Sequence, residues 1–346
     1  MIDSYALLKP WLFSLDPEKA HDLTLKNLDY AERLGLLNRL LKKPKADPIS
    51  LCGIAFPNPI GLAAGLDKDG KHIDALAALG FGFLEIGTVT PLPQPGNPKP
   101  RMFRLEEAQA IINRMGFNND GAHACVNRVR RSRFWQNGGV IGLNIGKNAK
   151  TPIEKAADDY VSAMKCVYEV ASYITVNISS PNTQNLRDLQ SERMLRNLLA
   201  SLKETRKELS DHFGNKKPLF LKIAPDLNKK DIELIADLLL EFEVDGVIAT
   251  NTTISRKSVQ GFKHSEEAGG LSGSPVKDLS TEVIQMLRAK LGSETPIIGV
   301  GGILCGNDAK EKIIAGANLI QLYSGLIFRG PNLVTECAKT LHRNSA

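Results

Sequence analysis

From residue 58 onward the chain alternates between short, nearly unbroken apolar runs and longer stretches with apolar residues at helical spacing. The runs are PIGLAAG (59–65), FGFLEIGT (81–88), VIGLNIG (140–146), YITVNIS (173–179), LFLKIA (219–224), GVIATN (246–251), PIIGVGG (296–302) and LIQLYSG (319–325). They are continuous rather than alternating, as expected of strands buried on both faces of a parallel sheet. HIDALAALG follows the first run, EKAADDYVSAMKCVYEVA precedes the fourth, KKDIELIADLLLEFE follows the fifth and NDAKEKIIAGA follows the seventh, all with helical patterns. Eight strand–helix units predict an α/β chain, a (β/α)8 TIM barrel, with a doubly wound open sheet as the other arrangement. The count of units and the lack of an early G-x-G-x-x-G turn favour the barrel.

Residues 1–47 read differently. YALLKPWLFSL is apolar and aromatic, Asp16-Pro17 is a helix start, and Ala20, Leu23, Leu28, Ala31 and Leu34 recur at roughly helical spacing. Arg39, Lys42, Lys43 and Lys45 follow together. This predicts a small N-terminal α-helical extension (1–47) ahead of a barrel domain (48–346). The extension is either a cap on the barrel floor or an amphipathic element with a basic rim that lies on a membrane surface. Two connections are long, a proline-rich one over 89–139 and a Gly/Ser-rich one over 252–275. Loops of that length are usually binding loops or lids.

Composition narrows the function classes. The 346 residues are 42% hydrophobic and 24% charged, ordinary for a globular protein. A net charge of +6, without a basic tract carrying interleaved aromatics, points to an anionic small ligand or membrane surface and away from nucleic acid. Five widely spaced cysteines with no C-x-x-C speak against a disulfide framework or a metal site. No run is long enough to span a bilayer, and no signal-peptide pattern opens the chain.

In a barrel of this kind the active site lies at the carboxyl ends of the strands. Those ends read Ala64, Gly65, Asp67 and Lys68; then Thr88; Asn144; Asn177 and Ser180; Lys222; Thr250 and Asn251; Gly301 and Gly302; and Tyr323, Ser324 and Gly325. Each alone is an ordinary turn former or a snorkelling lysine. Together they line one mouth with neutral donors and acceptors plus two cations, suited to a planar polar heterocycle and an anionic substrate. The Gly-Gly and Tyr-Ser-Gly turns suit a phosphate. Lys222, set among apolar residues, needs an anion or an electron-rich ring, since burying an unpaired ammonium is costly. A reduced flavin, with negative charge near N1, meets that need.

GLAAGLDK (61–68), EIGTVTPLPQPGNPKPR (85–101), NRMGFNN (113–119), NISSPNT (177–183), KIAPD (222–226), ATNTT (249–253), GGLSG (269–273) and GVGGI (299–303) together resemble the dihydroorotate dehydrogenase family, in order along the chain. A serine at position 180 and an N-terminal extension resemble its membrane-associated, quinone-linked class 2. The cysteine-based class 1, using fumarate or NAD, is the contrasting form. The resemblance implies oxidation of (S)-dihydroorotate to orotate in pyrimidine biosynthesis, with one FMN per chain and ubiquinone or a related quinone as final acceptor.

By the same resemblance Ser180 is the base, and FMN contacts Ala64, Gly65, Lys68, Thr88, Asn144, Asn177, Lys222, Thr250, Gly273, Gly302, Tyr323 and Ser324. Substrate falls to Lys68, Asn113, Arg114, Met115, Gly116, Phe117, Asn177, Asn182, Asn251 and Thr252. Amides suit a pyrimidine ring because each offers donors and an acceptor without charge. His21, Arg104 and Tyr323 stand at the head of a quinone path that Leu7, Leu8, Trp11, Leu12 and Phe13 of the extension would line. The implied location is peripheral, on the cytoplasmic side of a bacterial inner membrane. A non-redox barrel with Lys222 as a Schiff-base lysine, and a non-catalytic scaffold on a membrane, are the readings from other classes.

Overall fold

The computed structural model describes residues 4–342. Eight parallel strands close into a barrel: β1 (Ile60–Leu62), β2 (Phe83–Val89), β3 (Val140–Ile145), β4 (Tyr173–Asn177), β5 (Leu219–Ile223), β6 (Gly246–Ala249), β7 (Ile297–Val300) and β8 (Leu319–Leu322). Each coincides with one of the eight apolar runs, β2 passing the end of its run by one residue, and neighbours in sequence are neighbours in the barrel. Their outward side chains join the surrounding helices in one large core that includes Leu62, Leu84, Ile141, Ile174, Leu221 and Val247.

The barrel interior is layered. Its lower part holds Phe56, Phe83, Tyr173, Phe220, Ile298 and Leu319, with Phe83, Tyr173 and Phe220 meeting edge to face. Large rings require small neighbours. A Cβ on Gly61 would lie 2.2 Å from the Phe83 ring, and one on Gly142 2.1 Å from that of Tyr173. Two residues further along the strands, on the same inward face, stand Glu85 of β2, Thr175 of β4, Lys222 of β5 and Gln321 of β8. A polar layer thus sits on an aromatic plug.

The floor is covered by an antiparallel hairpin, Ile49–Leu51 with Ile54–Phe56, which inserts Phe56 beneath Phe83. The floor-cap reading of the extension is therefore corrected: the hairpin does that work. Helices α1 (Ser4–Ser14), α2 (Pro17–Arg33) and α3 (Leu36–Leu40) make up the extension. The α2 start follows from Asp16, whose carboxylate accepts from the backbone N–H groups of Glu18 and Lys19 at 3.1 and 3.0 Å. α2 packs against the helix Ile73–Ala77 and the strand Met102–Leu105, and α1 against the helix Ser324–Arg329 that follows β8. The extension therefore lies beside the barrel mouth.

The two long connections are not structureless. Met102–Leu105, Ala110–Asn113 and Gly270–Gly273 pair into a three-stranded antiparallel sheet, with Asn113 opposite both Met102 and Gly270. Segments more than 150 residues apart meet over the mouth, and Ser324 following β8 donates from its hydroxyl to Ser272 at 2.8 Å.

Candidate active site

The strand ends and the three-stranded sheet line one cavity. Its wall carries Ala64, Gly65, Lys68, Thr88, Asn177, Ser180, Lys222, Thr250 and Asn251 from the strand ends. Asn113, Met115, Gly116, Phe117, Asn182, Thr252 and Gly273 come from the long connections and from the turn after β4, and Gly302, Tyr323 and Ser324 from the last two turns. Parallel pairing sets the heights: Asn144 is in register with Gly87, and Asn177 with Lys222.

The amides are wired to one another. Thr88 donates to Asn144 Oδ1 at 2.5 Å, and Asn177 Nδ2 donates to Thr88 Oγ1 at 2.8 Å. Asn251 Nδ2 donates to Ser179 Oγ at 3.0 Å and to Asn177 Oδ1 at 3.3 Å, while Asn182 Nδ2 donates to Asn113 Oδ1 at 3.2 Å. Such a network fixes which amide edge faces the cavity. Ser180 is 6% exposed, and its Oγ accepts from the Asn182 backbone N–H at 3.2 Å. Three residues on, the buried Thr183 Oγ1 has no partner.

Two cations face the cavity. Lys68 Nζ donates to Asn118 Oδ1 at 2.7 Å. Burial, reinforced by Arg101, pushes its ammonium down to about 7. Lys222 is lowered by burial as well, and Glu85 is the charge that opposes this. A low-pKa lysine in a dry site invites an anion, which restores its charge. His21 of α2 stands close enough to Lys68 for the two to repel. Burial first, and Lys68 second, take its imidazole down to about 4, so it is neutral at pH 7.

Not every expected residue reaches the wall. Arg114, expected at the substrate, turns away: its guanidinium pairs with Glu267 at 2.6 Å and stacks 4.7 Å from the Phe103 ring. Its neighbours Asn113 and Met115 line the cavity, but its own side chain does not. Asn144 stands one layer behind Thr88. Arg104 donates to the carbonyls of Leu12 and Leu15 and lies 4.7 Å from the Phe13 ring, so it clamps α1 to the barrel. Conversely, Glu85 and Gln321 escaped the sequence reading. Each is the odd polar residue in an apolar run, the same signal that singled out Lys222.

The residues fit a planar heterocycle bearing a phosphate. Gln321 Oε1, Thr252 Oγ1 and Asn182 Oδ1 belong to cavity-lining residues and are buried with no partner, so acceptors are on offer to a ligand's N–H groups. Gly302 has φ +70°, and a Cβ there would lie 2.5 Å from Lys277 Cα. Only a bare backbone makes that turn, which leaves N–H groups beside the start of the helix Ser324–Arg329.

A family model for dihydroorotate dehydrogenase matches residues 48–344. The dihydroorotate dehydrogenase (quinone) of Polynucleobacter asymbioticus is 72% identical over 344 residues, covering 99% of this chain and 100% of that one. That of Janthinobacterium sp. (strain Marseille) is 60% identical, with 98% of each chain covered. The crystal structure of DHODH from Eimeria tenella in complex with ferulenol superposes with a TM-score of 0.85 at 36% identity, covering 94% of this chain and 90% of that one.

Proposed function

The chain belongs to the dihydroorotate dehydrogenase family, and we propose that it oxidises (S)-dihydroorotate to orotate in pyrimidine biosynthesis, with one FMN per chain as first acceptor and a quinone as last. The observation that carries this reading is the joining of Ser180, four cavity-lining asparagines and two lysines in one cavity wall. Bound FMN supplies the ring that accepts the hydride leaving C6 and later returns the electrons to quinone.

The protein's own part is positioning and proton transfer. Asn113, Asn177, Asn182 and Asn251 pair with the donors and acceptors of the pyrimidine ring, and Lys68 meets its carboxylate. Ser180 takes the proton from C5 as the C5–C6 double bond forms. Among the described residues no histidine or carboxylate lines the cavity with Ser180. The hydroxyl can take that proton only as its own passes on to a water relay, in a site roofed by the three-stranded sheet, so the rate of this step rises with pH. Lys222, Thr88 and Thr250 hold the ring of the cofactor, with Asn144 holding Thr88 from behind, while Gly302, Tyr323 and Ser324 hold its phosphate.

The extension serves the second half-reaction. Leu7 of α1, Tyr30 of α2 and Leu34 just beyond it are 72%, 64% and 72% exposed and Trp11 55%, so the extension carries large apolar side chains at its surface. Among the described residues no helix is long and apolar enough to cross a membrane. In this reading the extension rests on the cytoplasmic face of the inner membrane and admits quinone between its helices and the barrel. Neutral His21 suits a quinone carbonyl, and Arg104 acts there by holding α1 in place.

The test is anaerobic single-turnover bleaching of the flavin by dihydroorotate. Ser180→Ala is expected to slow it by ~10²–10⁴-fold with FMN retained. A wild-type rate in that variant removes Ser180 as base.

A further inference from the structure

Glu85 has no place in the reading above, yet it lies at the heart of the barrel. It is fully buried, and among the described residues no other glutamate is. Its Oε1 accepts from Asn144 Nδ2 at 2.8 Å. Its Oε2 accepts from the Tyr173 hydroxyl at 3.0 Å and from Gln321 Nε2 at 2.7 Å. All three donors are neutral. A carboxylate is stable in such a place only with full hydrogen bonding and a nearby positive charge. That charge is Lys222, two strand positions from Phe220 as Glu85 is two from Phe83, so both rise one layer above the aromatic plug. Lys222 lines the cavity, and Glu85 is the charge that acts on its ammonium. The two charges therefore stand in one dry layer, the acid beneath the cavity wall and the ammonium in it.

The consequences reach the cavity in two ways. Asn144 spends its N–H on Glu85, which leaves its Oδ1 to receive Thr88 and so sets the Thr88–Asn177 chain. Gln321 spends its N–H on Glu85 too, and its partnerless Oε1 is left at the cavity wall. A neutral isostere keeps the shape but cannot accept from three donors at once with both of its terminal atoms. The second route is charge. Two-electron reduction adds two electrons and one proton to a flavin, one net negative charge. In a low-dielectric layer the field of Glu85 opposes that charge and the field of Lys222 favours it.

We propose that Glu85 is a positioning residue of the cofactor site, fixing the Asn144 and Gln321 amides and balancing Lys222 so that the pair sets the reduction potential of the bound flavin. This rests on the flavin reading given above. It assigns the site a charged pair in place of a lone lysine: Lys222 draws electrons onto the ring, and Glu85 holds that pull low enough for the electrons to pass on to quinone.

The test is the midpoint potential of the flavin in the full-length holoenzyme, titrated with dithionite at neutral pH against a reference dye. Glu85→Gln is expected to raise the reduced-to-oxidised ratio at a given potential at least tenfold, a shift of ~30 mV for a two-electron couple. Tyr173→Phe, which removes one hydrogen bond and leaves the charge, is expected to change that ratio less than threefold while lowering the melting temperature. An unchanged or lowered potential in Glu85→Gln, or an equal rise in Tyr173→Phe, overturns the proposal. Should Glu85→Gln give no folded flavoprotein, wild-type protein labelled with ¹³C-glutamate carries the test. Its reduced-minus-oxidised infrared spectrum is expected to contain a ¹³C-shifted glutamate carboxylate band, and its absence overturns the proposal. Wild-type protein that binds no flavin would sink the functional reading itself, before any variant is compared.

Discussion

At the scale of single residues, burial decides the chemistry. Lys68 shows this most directly. Without an anion its proton leaves near pH 7, because burial and Arg101 both disfavour the charge. A bound carboxylate favours the charge and holds the proton to higher pH. Binding therefore takes up a proton above pH 7, and affinity for orotate is expected to fall as pH rises there, by up to about tenfold per pH unit. Calorimetric titration in buffers of different ionisation enthalpy checks this. Lys68→Met should bind weakly and with no proton uptake, and an unchanged slope in that variant would remove Lys68 as the carboxylate partner. The polar strand ends were legible in the sequence because a hydrogen-bonding residue that closes an apolar run is conspicuous. Glu85 and Gln321 stand out inside their runs as Lys222 does, but their roles were not legible, because their partners come from strands up to 236 positions away. Arg114 was misplaced for a related reason. Its neighbours face the cavity, and alternation along an extended segment turns the residue between them the other way.

Elements add what residues cannot. α2 is fastened to the barrel by a row of acids: Glu18 to Arg101 at 2.8 Å and to Lys99 at 3.2 Å, Asp29 to His72 at 2.7 Å, and Glu32 to Arg133. Burial pushes the Glu18 carboxyl up, but hydrogen bonds from Arg101 and Lys99 more than cancel it and hold the group below the usual carboxylate range. Because its folded value is depressed, its contribution is present above the ordinary carboxylate pKa and is lost as pH falls through the lowered value. Arg101 also donates to the Pro95 and Asn97 carbonyls, so the seam braces the loop under the roof sheet. Glu18→Gln is expected to loosen this seam by about 1–2 kcal/mol. Steady-state assays should show quinone turnover falling several-fold while flavin bleaching by dihydroorotate stays within twofold. Equal loss in both half-reactions would show that the extension supports the whole barrel and not the quinone path. The eight barrel strands and the α2 cap were readable from runs and from Asp16-Pro17. The roof sheet was not. Its four-residue strands carry no clear period, and their pairing depends on contacts between the two long connections.

For the whole molecule, the architecture separates two half-reactions. Under the proposed function dihydroorotate enters under the three-stranded roof, among the cavity-lining amides and beside the buried Ser180. Under the proposed function quinone arrives from the side that α1 and α2 occupy, where leucines and Trp11 are exposed and a neutral histidine stands near Lys68. Between them the barrel offers a rigid floor of aromatic rings and a polar layer above it. The sequence carried the barrel, the strand-end chemistry and the extension. What it could not carry was the relation between them, since the extension's place beside the mouth rather than under the floor depends on contacts with segments as far along the chain as Phe328.

Anaerobic stopped-flow spectroscopy of the full-length protein follows both half-reactions in one sample. Dihydroorotate should bleach the flavin band in a rapid phase, and a short-chain ubiquinone analogue should then restore it, while fumarate and NAD⁺ leave it bleached. A flavin that dihydroorotate fails to bleach, or that fumarate reoxidises as fast as quinone, would contradict the arrangement of serine, cofactor and quinone path described above.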